Sequence, residues 1–232
     1  MRRFSYFALF YPILLLCLSL IAQDSGSSPV KPPAAQRNTE AAKAVEAQGQ
    51  ELLFQKHDLK GAIESFKKTV KLDPWYAHGY MMLGLAYMQA ERWDEAHWAF
   101  EDASKVEPEN AQAWLGVGSA LNEQKDYAGA QKALQKSLEL KPGSAEAHYE
   151  MGRSLWGLEK LEAAAEQTKR AIELNKDYVS PHVLMGNIYL SGSDPESALA
   201  EFREALKLDP EGPQASSIKQ TISDIEKANK KQ

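Results

Sequence analysis

The chain has 232 residues, 44% of them hydrophobic and 25% charged, with a net charge of −5. The acidic excess repels nucleic-acid phosphates, and no basic stripe along the chain offsets it, which excludes a nucleic-acid partner. Cys17 is the only cysteine, so no internal disulfide can form.

The first 22 residues differ from the rest. Met1-Arg2-Arg3 is a short basic start, Phe4 to Ala22 carries no charge, and Gln23-Asp24 returns abruptly to polar chain. A basic start, an apolar core and a break are the shape of a secretory signal. The uncharged run of 19 residues is also close to the ~20 needed to span a bilayer, so retention as an N-terminal anchor is the alternative to cleavage. Ala22 suits the last position before a cleavage site, whereas Leu20 two residues earlier is not small. Leu14-Leu15-Leu16-Cys17 superficially resembles a lipoprotein signal, but it lacks the small residue before the cysteine and is followed by more apolar chain. Both main readings make the protein exported, periplasmic or secreted, and the second tethers it to the inner membrane through residues 4–22. Loss of Arg2 and Arg3 by cleavage would leave 25 basic against 32 acidic residues, a net charge of −7.

Residues 23–38, QDSGSSPVKPPAAQRN, are rich in Ser, Pro, Gly and Ala and predict a disordered linker. A fixed step of 34 residues then takes over: Gly84 leads to Gly118, Gly152 and Gly186, and Ala62 to Ala96, Ala130, Ala164 and Ala198. Pro74, Pro108, Pro142 and Pro210 keep the step, with Lys176 standing in for the missing proline. Leu53, Tyr87, Leu121, Leu155 and Tyr189 keep it too, as do Phe66, Phe100, Leu134, Thr168 and Phe202. Five units follow without insertion, 43–76, 77–110, 111–144, 145–178 and 179–212, within a repeat region of 39–212.

Each repeated residue has a physical reason. Two antiparallel helices that approach closely need small side chains at their crossing, which Gly84 and Ala96 supply. Leu83, Tyr87 and Phe100 give each helix an apolar stripe. The prolines mark where a second helix has ended, and Asp194-Pro195 reads as a capped helix start with proline in the first turn. One helix pair cannot cover both its faces, so the pairs must stack. In residues 213–232, Ala215, Ile218, Ile222 and Ile225 predict one further amphipathic helix that covers the last unit, followed by a lysine-rich tail.

These motifs resemble the tetratricopeptide repeat, a 34-residue helix-turn-helix unit. Ala77 to Asn110 carries them best, with Leu83-Gly84, Tyr87, Ala96, Phe100, Ala103 and Pro108. Gln50, Ser137 and Lys176 are local departures. The resemblance implies an all-α solenoid, a right-handed superhelix of helix-turn-helix pairs closed by a C-terminal capping helix. It also implies a concave groove, lined by the first helix of each pair, that binds an extended or helical segment of a partner protein. By unit position the groove would hold His78, Met81, Met82, Leu85 and Met88, then Leu115, Ser119 and Asn122. Tyr149, Arg153 and Trp156 would follow, and finally Val183, Asn187 and Leu190. Methionines adapt to varied apolar partners, Trp, Tyr and Arg concentrate binding energy, and Asn122 and Asn187 could hydrogen-bond a ligand's backbone. The carboxylate clamp of chaperone-binding members is not matched, because Ala47, Glu51, Met82, Gln112 and Gly116 occupy its positions.

Nothing in the sequence forms a catalytic constellation. There is no glycine-rich phosphate loop, nucleophile elbow or paired His-Glu metal motif. His148 and His182 lie 34 apart, where other units have Tyr80 and Trp114, which makes them packing residues. Trp93 and Trp98 belong to the second-helix layer. The expectation is therefore a non-enzymatic adaptor or assembly factor without cofactor or metal. A self-associating scaffold of the cell envelope, or an accessory subunit of a secretion or assembly complex, is the alternative.

Overall fold

The computed structural model describes residues 38–229, which form eleven helices and no strand. The signal or anchor segment, all of the linker but Asn38, and the last three residues of the tail lie outside the described residues. Ten helices make five successive antiparallel pairs: α1 (Thr39–Phe54) with α2 (Leu59–Leu72), α3 (Ala77–Gln89) with α4 (Trp93–Val106), and α5 (Ala111–Glu123) with α6 (Tyr127–Leu140). Then come α7 (Ala145–Gly157) with α8 (Leu161–Leu174), α9 (Val179–Ser191) with α10 (Pro195–Leu208), and the single helix α11 (Ala215–Asn229).

The helix ends follow from local chemistry. α2, α4, α6 and α10 stop two residues before Pro74, Pro108, Pro142 and Pro210. α8 also stops at Leu174, although Lys176 replaces the proline. There the Asn175 side chain accepts a hydrogen bond from the Asp177 amide at 3.2 Å, an Asx turn that takes over from proline. Asp58, Asp126 and Asp194 cap α2, α6 and α10 by accepting from the amides of Gly61, Gly129 and Ser197, which satisfies donors that a helix start leaves free.

Inside each pair the turn is the same object repeated. His57, Glu91, Lys125, Glu159 and Ser193 all have φ between 54° and 64°, again 34 residues apart. In the last four turns the next residue's amide returns to the carbonyl five residues back, as Arg92 does to Tyr87 at 2.9 Å and Lys160 to Leu155 at 2.9 Å. This left-handed residue with its six-to-one bond is the geometry that ends a helix abruptly. It brings the second helix back against the first.

The core sits at the helix crossings. Phe66, Phe100, Leu134 and Phe202 are fully or almost fully buried, and alanines 62, 96, 130, 164 and 198 show no exposed surface. A Cβ added to Gly84 would stand 2.7 Å from the Phe100 ring, and one on Gly186 would stand 2.6 Å from that of Phe202. Only glycine lets the aromatic ring lie flat on the first helix. In the first pair Gln50 occupies the expected glycine position, but Gly49, 2.6 Å from Phe66 by the same measure, takes the role. The crossing is kept by a one-residue displacement.

Successive pairs are joined asymmetrically. First helices touch along the series α1, α3, α5, α7 and α9, while consecutive second helices have no comparable contact. A stack whose first helices converge and whose second helices splay must curve, with the first helices on the inside. At the C-terminal end, α11 packs on α10 through Ile218, with Ile222 and Ile225 half-buried beside it and Ala215 buried at its start.

Candidate partner-binding face

On α3, α5, α7 and α9 the inner face is built from residues two, five, nine and twelve, positions one turn apart along one side of an α-helix; the same register falls on Ala44, Ala47, Glu51 and Phe54 of α1. Among the described residues four large apolar side chains are exposed: Phe54, Leu85, Trp98 and Trp156. Leu85, 49% exposed, and Trp156, 37% exposed, belong to this inner set. Trp98, 60% exposed, stands on α4 in the second-helix layer, on the other side of the stack.

Other members of the set are more deeply seated. Met81, Met88, Leu115 and Tyr149 are half-buried against the main core, and Val183 and Leu190 against the smaller core at the C-terminal end. Ser119 and Asn187 are half-buried. Met82, expected in the groove, is buried in the core between α3 and its neighbours. The His78 ring is half exposed, and its Nδ1 contacts the buried carboxylate of Glu46. Glu46 also accepts from the Tyr76 hydroxyl at 2.5 Å and from Gln50 Nε2 at 3.3 Å, so α1 is fastened to α3 by a polar knot.

Asn122 departs furthest from expectation. It is 3% exposed, and its amide is already fully engaged. Nδ2 donates to the Glu150 carbonyl at 2.9 Å and to Glu150 Oε2 at 2.7 Å, while Oδ1 accepts from Ser154 Oγ at 2.7 Å. Both amide ends therefore bind α7, and a ligand's backbone is not their partner. The sequence reading missed Glu150 and Ser154, whose signal was polar residues where the second, third and fifth units hold Met82, Gly116 and Leu184, and Ala86, Ala120 and Ile188.

Arg153 is drawn into the same cluster. It donates to Glu123 Oε1 at 2.8 Å and to Glu150 Oε2 at 3.1 Å, and its guanidinium lies 6.0 Å from the Tyr149 ring centroid. Tyr149 in turn meets Tyr178 edge to face at 5.3 Å. Burial pushes the Glu150 carboxyl above its ordinary range, opposed by the Arg153 charge and the Asn122 hydrogen bond. Burial likewise raises the Tyr149 and Tyr178 hydroxyls. Trp156 is tied at its polar end: its Nε1 donates to Ser191 Oγ at 3.0 Å, and Ser191 donates onward to the Asn187 carbonyl at 3.0 Å.

The histidines serve the packing. His148 and His182 contact Gln167 at 2.8 Å and Glu201 at 2.7 Å, two bridges of identical register between first and second helix. His148 also reaches the Pro142 carbonyl at 3.0 Å, which is what the Trp114 indole does with the Pro108 carbonyl at 2.8 Å. Two different side chains thus perform one structural task one repeat apart.

Paired helices stacked with their first members inward, and with an open apolar face along them, define a helical-repeat solenoid. Three tetratricopeptide-repeat family models match, at residues 81–145, 121–188 and 179–211, together running over more than half of the chain. The chain is a tetratricopeptide-repeat protein, and that family is one of protein–protein interaction modules. Similar solved structures include residues 41 to the end of MamA from Desulfovibrio magneticus RS-1, at 22% identity and a TM-score of 0.64, covering 74% of this chain and 97% of that one. TTC0263 from Thermus thermophilus is 16% identical with a TM-score of 0.66, covering 79% of this chain and 98% of its own. YrrB, described as a TPR protein with an unusual peptide-binding site, is 24% identical with a TM-score of 0.58, covering 79% and 94%. At these identities the likeness is one of fold. No curated protein sequence matches the chain.

Proposed function

We propose that the repeats act as a non-enzymatic adaptor that captures an extended or helical segment of another protein on the first-helix face. The observation that carries this reading is the exposure of Leu85 and Trp156 on that face while the crossings beneath them are closed. Large apolar side chains left in water on a regular helical wall are where an interface gains its energy. The peptide-binding site described for YrrB is support by analogy of fold. Export, with the chain free or tethered through residues 4–22, belongs to the same proposal and rests on the N-terminal sequence alone.

The test is affinity capture from envelope extract with the full chain as bait, beside a Leu85→Ser, Trp156→Ala variant whose helix content is checked by circular dichroism. A partner retained by the first bait and lost from the folded variant supports the reading. A partner retained equally by both places the working surface elsewhere.

A further inference from the structure

The charges on the inner face are one-sided. The acidic and basic side chains of α3, α5, α7 and α9 are Glu123, Glu146 and Glu150 against Arg153; of these Glu146 and Arg153 stand at groove positions, Glu123 lies one residue beyond the last of them on α5, and none of these four helices contains a lysine. Lysines lie in the opposite layer, among them Lys67, Lys105, Lys132, Lys169 and Lys207 on α2, α4, α6, α8 and α10.

Arg153, the one arginine or lysine of these four helices, has its partners within the fold, since both its terminal nitrogens are bonded to carboxylates. What remains for a ligand is negative. Glu123 is about one third exposed and uses Oε1 for Arg153. Glu146 is exposed in the first turn of α7, where it accepts from the Ser144 hydroxyl at 3.0 Å. Protonation of the buried Glu150 would not reverse the sign, because Glu123 and Glu146 still outnumber Arg153. Within a Debye length of about 8–10 Å such an excess is felt across a groove, and low-dielectric walls sharpen it.

Resting on the adaptor reading above, we propose that the first-helix face selects an apolar segment of another protein that carries lysine or arginine. Its apolar side chains lie against Leu85 and Trp156, and its cation is drawn to Glu123 and Glu146. An acidic segment of equal apolarity meets carboxylates and an arginine that is already bonded, so repulsion discriminates against it as much as attraction favours the basic one.

The experiment is selection of a displayed library of random linear peptides against the full chain, followed by titration of the enriched peptides into the wild type and three folded variants. Enrichment of lysine or arginine among leucine, phenylalanine and similar residues is the expected result. Trp156→Ala should abolish binding of those peptides. Glu123→Gln and Glu146→Gln should each weaken it by about two- to fivefold, the span of partly exposed ion pairs, and raised ionic strength should remove the difference. Enrichment of aspartate or glutamate, or peptides indifferent to both glutamine variants, overturns the charge selection but leaves the groove in place if Trp156→Ala still abolishes binding. Peptides that bind Trp156→Ala as well as the wild type overturn the groove reading itself. A library that yields no enriched peptide overturns selection of a free linear segment, while capture of a folded partner remains a separate question.

Discussion

The second and fourth helix pairs share one backbone plan and hold it by different chemistry. Between α3 and α4 the Phe100 ring lies on Gly84, flanked by Leu83 and Tyr87, and the crossing is apolar throughout. Between α7 and α8 the matching residue is Thr168, whose hydroxyl turns back on its own helix to the Ala164 carbonyl at 2.7 Å. The fourth pair replaces ring packing with bonds, through His148 to Gln167 and through the Asn122, Glu150 and Arg153 cluster toward α5. The difference teaches that Asn122 and Arg153, polar residues of the groove set, were taken into bonds within the fold, while apolar Leu85 and Trp156 were left to water.

If that contrast is right, cavities and broken bonds should hurt the two pairs differently. Phe100→Ala, which empties the space over Gly84, is expected to cost about 3–5 kcal/mol, read as a lower midpoint in urea unfolding. Thr168→Ala removes one buried hydroxyl with its local bond and should cost about 1 kcal/mol, the net worth of a typical hydrogen bond. Equal losses at the two sites would dissolve the distinction.

The next largest effect should come from Arg153. Arg153→Met keeps most of the side chain's volume but leaves Glu150 buried without its cation, at a cost of about 3 kcal/mol, toward the low end for breaking a buried pair because the arginine is partly exposed. The Glu123→Gln variant, whose amide oxygen still accepts from Arg153, should stay within about 1 kcal/mol of wild type, the range for surface ion pairs. Both are measured by urea unfolding. A free, ligand-facing Arg153 would instead tolerate substitution by methionine without loss.

Most of the fold was legible because it rests on residues with one physical task. Alanine against the neighbouring backbone recurs at every step of 34, and glycine at the crossing and proline after the second helix each recur in four of the five units. Where a mark was missing the structure found a local substitute, Gly49 for Gln50 and the Asn175 turn for the proline absent at Lys176. The inner face was less legible. Whether a side chain at position six or twelve of a first helix faces the groove or the adjoining helix depends on what that helix offers. Asn122 turns to α7 because Ser154 and Glu150 lie there, and Met82 sinks into the apolar cluster of the core. Such pairings join residues 28 to 32 apart, which a repeat pattern aligns only as separate columns.

The polar cluster also gives the fourth pair a pH signature that the second lacks. Burial raises Glu150 above its ordinary value of 4.5, so over the interval between that value and the folded one the native state holds a proton that the unfolded state has released. Stability from this group is therefore greatest at pH below 4.5 and declines as pH rises through the interval. In Glu150→Gln this descending component should disappear from a plot of unfolding free energy against pH, leaving the opposite slopes of the paired surface carboxylates. A wild-type plot with no such component, or a variant that keeps it, would count against the burial of Glu150 as its cause.

The smallest expected effect lies in what the two pairs have in common. Glu91 and Glu159 occupy the same place in the turns after α3 and α7, both exposed, at φ 56° and 60°. A left-handed conformation costs an ordinary L-residue roughly 1–2 kcal/mol. Glycine escapes that cost but loses about 0.5–1 kcal/mol through its greater freedom in the unfolded chain. Glu91→Gly and Glu159→Gly should therefore each stabilise the fold, by less than about 1 kcal/mol when these two terms are set against each other. Because the turn is pure backbone geometry, the two gains should agree whatever chemistry fills the crossing beside them. Valine at either position, β-branched and unsuited to positive φ, should move the urea midpoint the other way. A gain confined to the second pair would mean that the polar cluster reaches the turn of the fourth, and that the contrast between the pairs extends beyond their side chains.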